Sequence, residues 1–207
     1  MKQIEIQKVC YSESGKIQFP EAINPINIDN WNYPAEMKVQ FGMAYDKDHF
    51  YLRYVVKENH TKAVSTSING PVWEDSCVEF FIAFNDKGYY NLEFNCIGNK
   101  LVGYGTSNTD REWLDEAVVK TINTTPSLGS EQIDMADTPT EWNLEITIPK
   151  SIFGDKNIQF ADGQQFNVNF YKCGDKQKEP HFLSWNAIDN ATPNFHLPKF
   201  FGTLKLS

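Results

Sequence analysis

The sequence predicts an all-β fold, a two-sheet antiparallel β-sandwich, and three observations carry that reading. Apolar and polar residues alternate over many short segments with the period of two that a half-buried strand imposes. Clusters of Asp, Asn, Gly, Ser and Pro recur between those segments as turn signals. Aromatic residues make up 14% of the chain, with 15 Phe, 9 Tyr and 5 Trp, a bias suited to strands and to flat binding surfaces. A chain of 207 residues can bury a sizeable core without disulfides or metals. No internal repeat or low-complexity linker divides it, so a single domain over residues 1–207 is expected.

In chain order, Met37–Tyr45 and His49–Lys57 alternate around Asp46-Lys47-Asp48 and read as a hairpin. Val78–Phe84 and Tyr90–Cys96 flank Asn85-Asp86-Lys87-Gly88 and read as a second. Thr106–Pro139 is rich in Thr, Ser and Asp and reads as long loops, with a short helix over Asp110–Val118. In Trp142–Ile148 the apolar residues Trp142, Leu144, Ile146 and Ile148 alternate with Asn143, Glu145 and Thr147, which assigns Trp142 to the core. A helical turn follows at Pro149–Phe153. Phe166–Phe170, Ser184–Ile188 and Gly202–Leu206 complete the strands, and two packed sheets follow from so many short strands.

Composition removes several functions. The net charge of −8 leaves no basic face for a phosphate backbone or an anionic membrane surface, so nucleic acid is excluded and neutral ligands remain. No 18-residue apolar run exists, so membrane insertion is not expected. Cys10, Cys77, Cys96 and Cys173 show no metal-ligand spacing, and no metal or other cofactor is expected from them. Residues 1–20 lack the apolar core of a signal peptide; the protein is cytoplasmic or a leader has been removed.

Polarity sets the register of the second hairpin. Pairing Val78, Phe80, Ile82 and Phe84 with Cys96, Phe94, Leu92 and Tyr90 gathers the apolar side chains on one face. A slip of one residue would bury Asn91, Glu93 and Asn95 among aromatics, at high cost. The favoured register places Glu79 opposite Asn95, and a three-residue loop puts Gly88 in the left-handed position of a bulge. Glu79, Asn91, Glu93 and Asn95 then cluster on the outer face, with Tyr89 beside them. Trp73, six residues before Glu79, supplies an apolar plane next to acids and amides. A pyranose ring needs that pairing: a face to stack on, and acceptors and donors for its hydroxyls. A plain solvated face is the competing reading of the same pattern.

The run Pro71-Val72-Trp73-Glu74-Asp75-Ser76-Cys77-Val78-Glu79-Phe80-Phe81-Ile82 resembles the Trp-x-Asp-x-x-x-Glu-type core of family 9 carbohydrate-binding modules. Ala44–Val56, Trp142–Pro149, Phe166–Tyr171, Phe182-Leu183-Ser184-Trp185, Asn194–Pro198 and Phe201–Leu204 extend the resemblance over most of the chain. It implies a sandwich related to the DOMON-type fold, in which an aromatic pair holds a terminal sugar, often at the reducing end. Carried over, Trp73 is the first aromatic and Glu79 the hydroxyl-binding carboxylate, with Glu93 and Asn95 as further polar contacts and Asn91 beside them. The second aromatic is Trp185, or Phe195 in its place. Where the family often has a basic residue on the second hairpin strand, this chain has Glu93. The resemblance implies an oligosaccharide or polysaccharide ligand, an extracellular or periplasmic setting and a catalytic partner protein. It also leaves open a structural calcium ion, for which the acidic loops show no recognisable motif.

Two rivals bring different chemistry. A glycoside hydrolase would use Glu79 and Glu93 as its carboxylate pair. A haem-binding DOMON-type domain would draw axial ligands from Met37, Met43, His49, His60, His181 and His196. Of the remaining polar residues, Lys172 and His181 are candidate hydroxyl donors at a sheet end, and His196 reads as a structural imidazole. Trp31 and Trp113 could be core covers or rim contacts.

Overall fold

A computed structural model describes residues 1–33, 36–155 and 157–207. It is a sandwich of a nine-stranded and a five-stranded sheet. The larger sheet runs in the order Gln3–Ile6, Gly202–Leu206, Gln165–Cys173, Cys77–Asn85, Gly88–Asn95, Lys100–Gly105, Arg111–Trp113. Phe182–Ser184 pairs with Gln165–Cys173 and with Ile28–Asp29 off that path. The smaller sheet runs Asn123–Pro126, Thr140–Pro149, His49–Glu58, Met37–Tyr45, Asn24–Pro25. Among the described strands pairing is antiparallel except between the terminal strands Gln3–Ile6 and Gly202–Leu206, which run parallel; an isolated parallel bridge joins Lys8 to Tyr45.

Alternation explains the core. Phe41, Phe50, Leu52, Tyr54, Trp142, Leu144 and Ile146 of the smaller sheet meet Val78, Phe80, Ile82, Leu92, Phe94, Val168 and Phe170 of the larger one. Phe41 and Phe170 stack across the interface at 3.7 Å between ring centres. Each such ring contributes about 1.5–3 kcal/mol by leaving water. Trp142 is in the core as expected, and its indole N–H donates to the buried Glu58 carboxylate at 2.7 Å.

The second hairpin keeps the expected faces but not the expected offset. Val78, Phe80 and Ile82 pair with Phe94, Leu92 and Tyr90, two residues away from the predicted register. Glu79 therefore faces Glu93, and Asn95 faces Cys77. The cause is the turn: Asn85 pairs with Gly88 around Asp86-Lys87, and the register shifts between Gly88 and Tyr90. Gly88 is not among the glycines of positive φ, so the left-handed position predicted for it is not used. Because side chains repeat every two residues, a two-residue shift leaves inside and outside unchanged.

The predicted helix over Asp110–Val118 is replaced by an edge strand, Arg111–Trp113, and one helical turn, Glu116–Val119, capped by the Asp115 side chain. The expected turn after Pro149 is a short 3-10 helix, Lys150–Phe153. The late strand expected at Ser184–Ile188 lies earlier, at Phe182–Ser184.

The outer face of the larger sheet is not solvated. Val72, Phe81, Tyr89, Leu101, Tyr171, Ile188, Phe195 and Phe201 form a second apolar cluster upon it. This cover, contributed largely by the segment 186–201, encloses the predicted polar residues. No helix among the described residues is long and apolar enough to cross a membrane.

Candidate functional site

A cavity of about 330 Å³ opens between the covering segment and the outer face of the large sheet. Trp73, Glu79, Glu93, Arg111, Asp175 and Phe195 line it, together with Phe182, Cys173, His196, Asn108, Asn194 and Pro193. Each reaches it for a local reason.

Trp73 projects from a single 3-10 turn, Val72–Glu74, that starts after Pro71. The turn is pinned from behind. The fully buried Asp75 carboxylate accepts from the backbone N–H groups of Val64 and Ser65 and from Asn95 Nδ2. The Trp73 carbonyl accepts from Asp175 N–H, tying the indole to the acid across the cavity rim. The indole itself stays partly exposed. Phe195 is held on the other side, its ring stacked on Tyr171 at 4.1 Å with an 8° interplanar angle. The Tyr171 hydroxyl donates to the Phe195 carbonyl, and the Trp31 N–H donates to Asn190 O in the same segment. Trp31 is thus a prop for the cover.

Glu79 and Glu93 form the acidic floor, both all but sealed from solvent at 3% and 2% exposure. Glu93 has company. Asn91 Nδ2 donates to its Oε1 at 2.9 Å, and Arg111 Nη1 lies 3.5 Å from the same oxygen. Burial nevertheless raises Glu93 to about 7, against the opposing pull of Arg111. Among the described residues, Glu79 accepts only from the Cys173 thiol, at 2.9 Å. Burial and the neighbouring Glu93 charge push Glu79 well above the ordinary carboxylate range. Asp175 is raised to about 6 by burial and by Glu74.

Arg111 is the cation of the site. It arrives from the edge strand, with its guanidinium 4.4 Å from the Trp113 ring centre. That indole lies over Gly103, where any Cβ would meet the ring at 3.0 Å. Arg111 also donates to His196 Nε2 at 3.1 Å, leaving Nδ1–H to donate to the Tyr89 hydroxyl at 2.9 Å. Burial, and then Arg111, lower His196 to about 3, which keeps the imidazole neutral.

Of the residues singled out from sequence, the fold brings Trp73, Glu79, Glu93 and Phe195 to the cavity. Asn91 lies beneath and orients Glu93. Asn95 is fully buried and spends its amide on Ser65 O, Asp75 and the Asn99 N–H, so it holds a loop instead of facing the cavity. Trp185 is 4% exposed in the core between the sheets, edge-on to Phe41 and Phe170, and not at the cavity. Tyr89 is buried against Phe81 and widens no platform. Lys172 and His181 are also displaced from their expected role. Lys172 alternates with Tyr171 and Cys173, so it points between the sheets, where Glu58 meets it at 2.9 Å and His181 at 2.6 Å. Among the described residues, His196 alone of the candidate haem ligands lines the cavity.

Arg111, Asp175, Asn108, Asn194 and Phe182 were not singled out. Arg111 fell inside the predicted helix; reading Arg111-Glu112-Trp113 as an edge strand would have set Arg111 and Trp113 on one face.

A family model described as carbohydrate-binding family 9 matches residues 13–206. A structure from Bacteroides uniformis, described as a candidate carbohydrate-binding protein, is 36% identical with a TM-score of 0.90, covering 100% of this chain and 99% of that one. A family 9 module from Caldicellulosiruptor kristjanssonii in complex with glucose shares the fold at 15% identity and a TM-score of 0.58, covering 100% of this chain and 96% of that one. The same organism's module in complex with cellotriose gives 16% and 0.55, covering 99% and 93%. No curated protein matches.

Proposed function

The chain belongs to carbohydrate-binding family 9, and on that premise we propose that the cavity between Trp73 and Phe195 takes the terminal sugar of an oligo- or polysaccharide without cleaving it. The observation that carries the reading is the enclosure of buried carboxylates and a guanidinium by aromatic rings. Trp73 offers a pyranose its apolar face, with Phe195 opposite. Glu79 and Glu93 accept from hydroxyls, and Arg111 donates to a ring or hydroxyl oxygen. A closed floor favours a chain end over a mid-chain segment.

The paired carboxylates invite comparison with a hydrolase, and their raised pKa values strengthen it. Against cleavage stands their placement: both rise from adjacent strands on one floor, whereas a glycosidase flanks the scissile bond from two sides. Cleavage of the polymer then falls to a partner protein.

At roughly 0.3 kcal/mol per heavy atom, a disaccharide of about two dozen atoms reaches affinities near micromolar and not far beyond. Calorimetric titration with glucose, xylose and their β-1,4 oligomers tests the reading. Saturable binding without release of reducing sugar supports it. Absence of binding across a broad saccharide panel, or turnover abolished in Glu79→Gln, overturns it.

A further inference from the structure

Charge balance in the cavity points to a narrower class of ligand, on the reading that this cavity binds sugar. Glu79, Glu93 and Asp175 line it, and Arg111 is the cation among them. That guanidinium is engaged with Glu93. Lys176, beside Asp175, is drawn away to Glu74 at 2.7 Å. Lys172 lies on the opposite face of the sheet, paired with Glu58. His196 accepts from Arg111 and carries no charge. Neither Glu79 nor Asp175 has an ion-pair partner among the described residues.

Glu79 is the sharper case. It is 3% exposed, it faces the cavity, and its one hydrogen-bond donor among the described residues is a thiol on Oε1. A buried carboxylate left this bare is costly, and burial together with the neighbouring Glu93 charge favours its protonated form. A ligand that brings its own positive charge would replace that proton and form charge-assisted hydrogen bonds in a largely desolvated setting. A neutral hydroxyl can only share it. The aromatic walls accommodate the same ligand, because a cation beside an aromatic face is also favoured.

We propose that the cavity prefers a saccharide end bearing a free, protonated amino group, with the ammonium seated between Glu79 and Asp175. The neutral sugars remain weaker ligands of the same cavity. N-acetylation removes the charge and adds bulk, so the acetylated sugar loses the advantage.

The test is calorimetric titration of the intact chain with glucosamine, N-acetylglucosamine and glucose. It is run with a chelator present, at a pH below the sugar amine's own pKa, in buffers of different ionisation enthalpy. Hydrogen bonds to a charged group predict glucosamine binding at least about tenfold tighter than glucose, with proton release to the buffer as Glu79 ionises. Glucose binding as tightly as glucosamine, or glucosamine binding without proton release, overturns the amino-sugar preference and leaves the module's general function standing. Failure of all saccharides to bind overturns both.

Discussion

Glu79 and Glu93 are direct cross-strand partners, so two carboxylates that burial would ordinarily separate share the floor of one cavity. Arg111 lies beside Glu93, and the thiol of Cys173 is what Glu79 has instead. Most consequences of the site follow from that asymmetry.

Glu93→Gln removes the charge that pushes Glu79 up while keeping an acceptor for Asn91. Glu79 then titrates lower, although burial still holds it above the ordinary carboxylate range, and NMR of side-chain carboxyl resonances can follow the change. An unchanged Glu79 titration would mean the two do not interact.

The same pair makes stability depend on pH. Glu93 is raised from 4.5 to about 7 on folding, and Glu79 is also raised well above the ordinary carboxylate range. Below the unfolded value both states hold the protons and no penalty applies. As pH climbs through the folded value near 7, the native state either keeps protons that the unfolded chain has released or buries the charges, so stability falls. Thermal midpoints should therefore decline from pH ~5 to ~8, with a shallower slope in Glu79→Gln.

Trp73→Ala should weaken saccharide binding by roughly threefold to tenfold. The partly exposed indole packs at the edge of the second apolar cluster and not in the core between the sheets, so the melting temperature should fall less than in Trp185→Ala. Equal binding by wild type and variant in calorimetry would place the sugar elsewhere.

Trp185→Ala should behave in the opposite way. Its ring fills the core against Phe41 and Phe170, and truncation costs about 3–5 kcal/mol through the cavity left behind. Chemical denaturation reads this directly. Trp185→Phe, which keeps most of the volume, should bind saccharide as wild type does.

Lys172→Met should also cost about 3–5 kcal/mol, because the buried Glu58 carboxylate loses its ion-pair partner between the sheets. Adding Glu58→Gln in the same chain should recover part of that loss. A double variant as unstable as the sum of the singles would show that the pair contributes no coupling.

Much of this protein was legible before any coordinates. Alternation in Val78–Phe84 and Trp142–Ile148 determined which side chains enter the core, because a strand sends successive residues to opposite faces and burial penalises the wrong choice. It also put Glu79, Glu93 and Asn91 together on the other face, and Trp73 beside them. Tertiary structure alone decided that this second face is enclosed, since Phe195 and the segment carrying it are more than a hundred residues away along the chain. It likewise decided that Glu79 meets Glu93 and not Asn95, a matter of turn geometry to which alternation is blind. Arg111 and Asp175 reach the cavity from distant strands and loops for the same reason. Periodicity specifies which way a side chain faces; what it then meets depends on packing between remote segments.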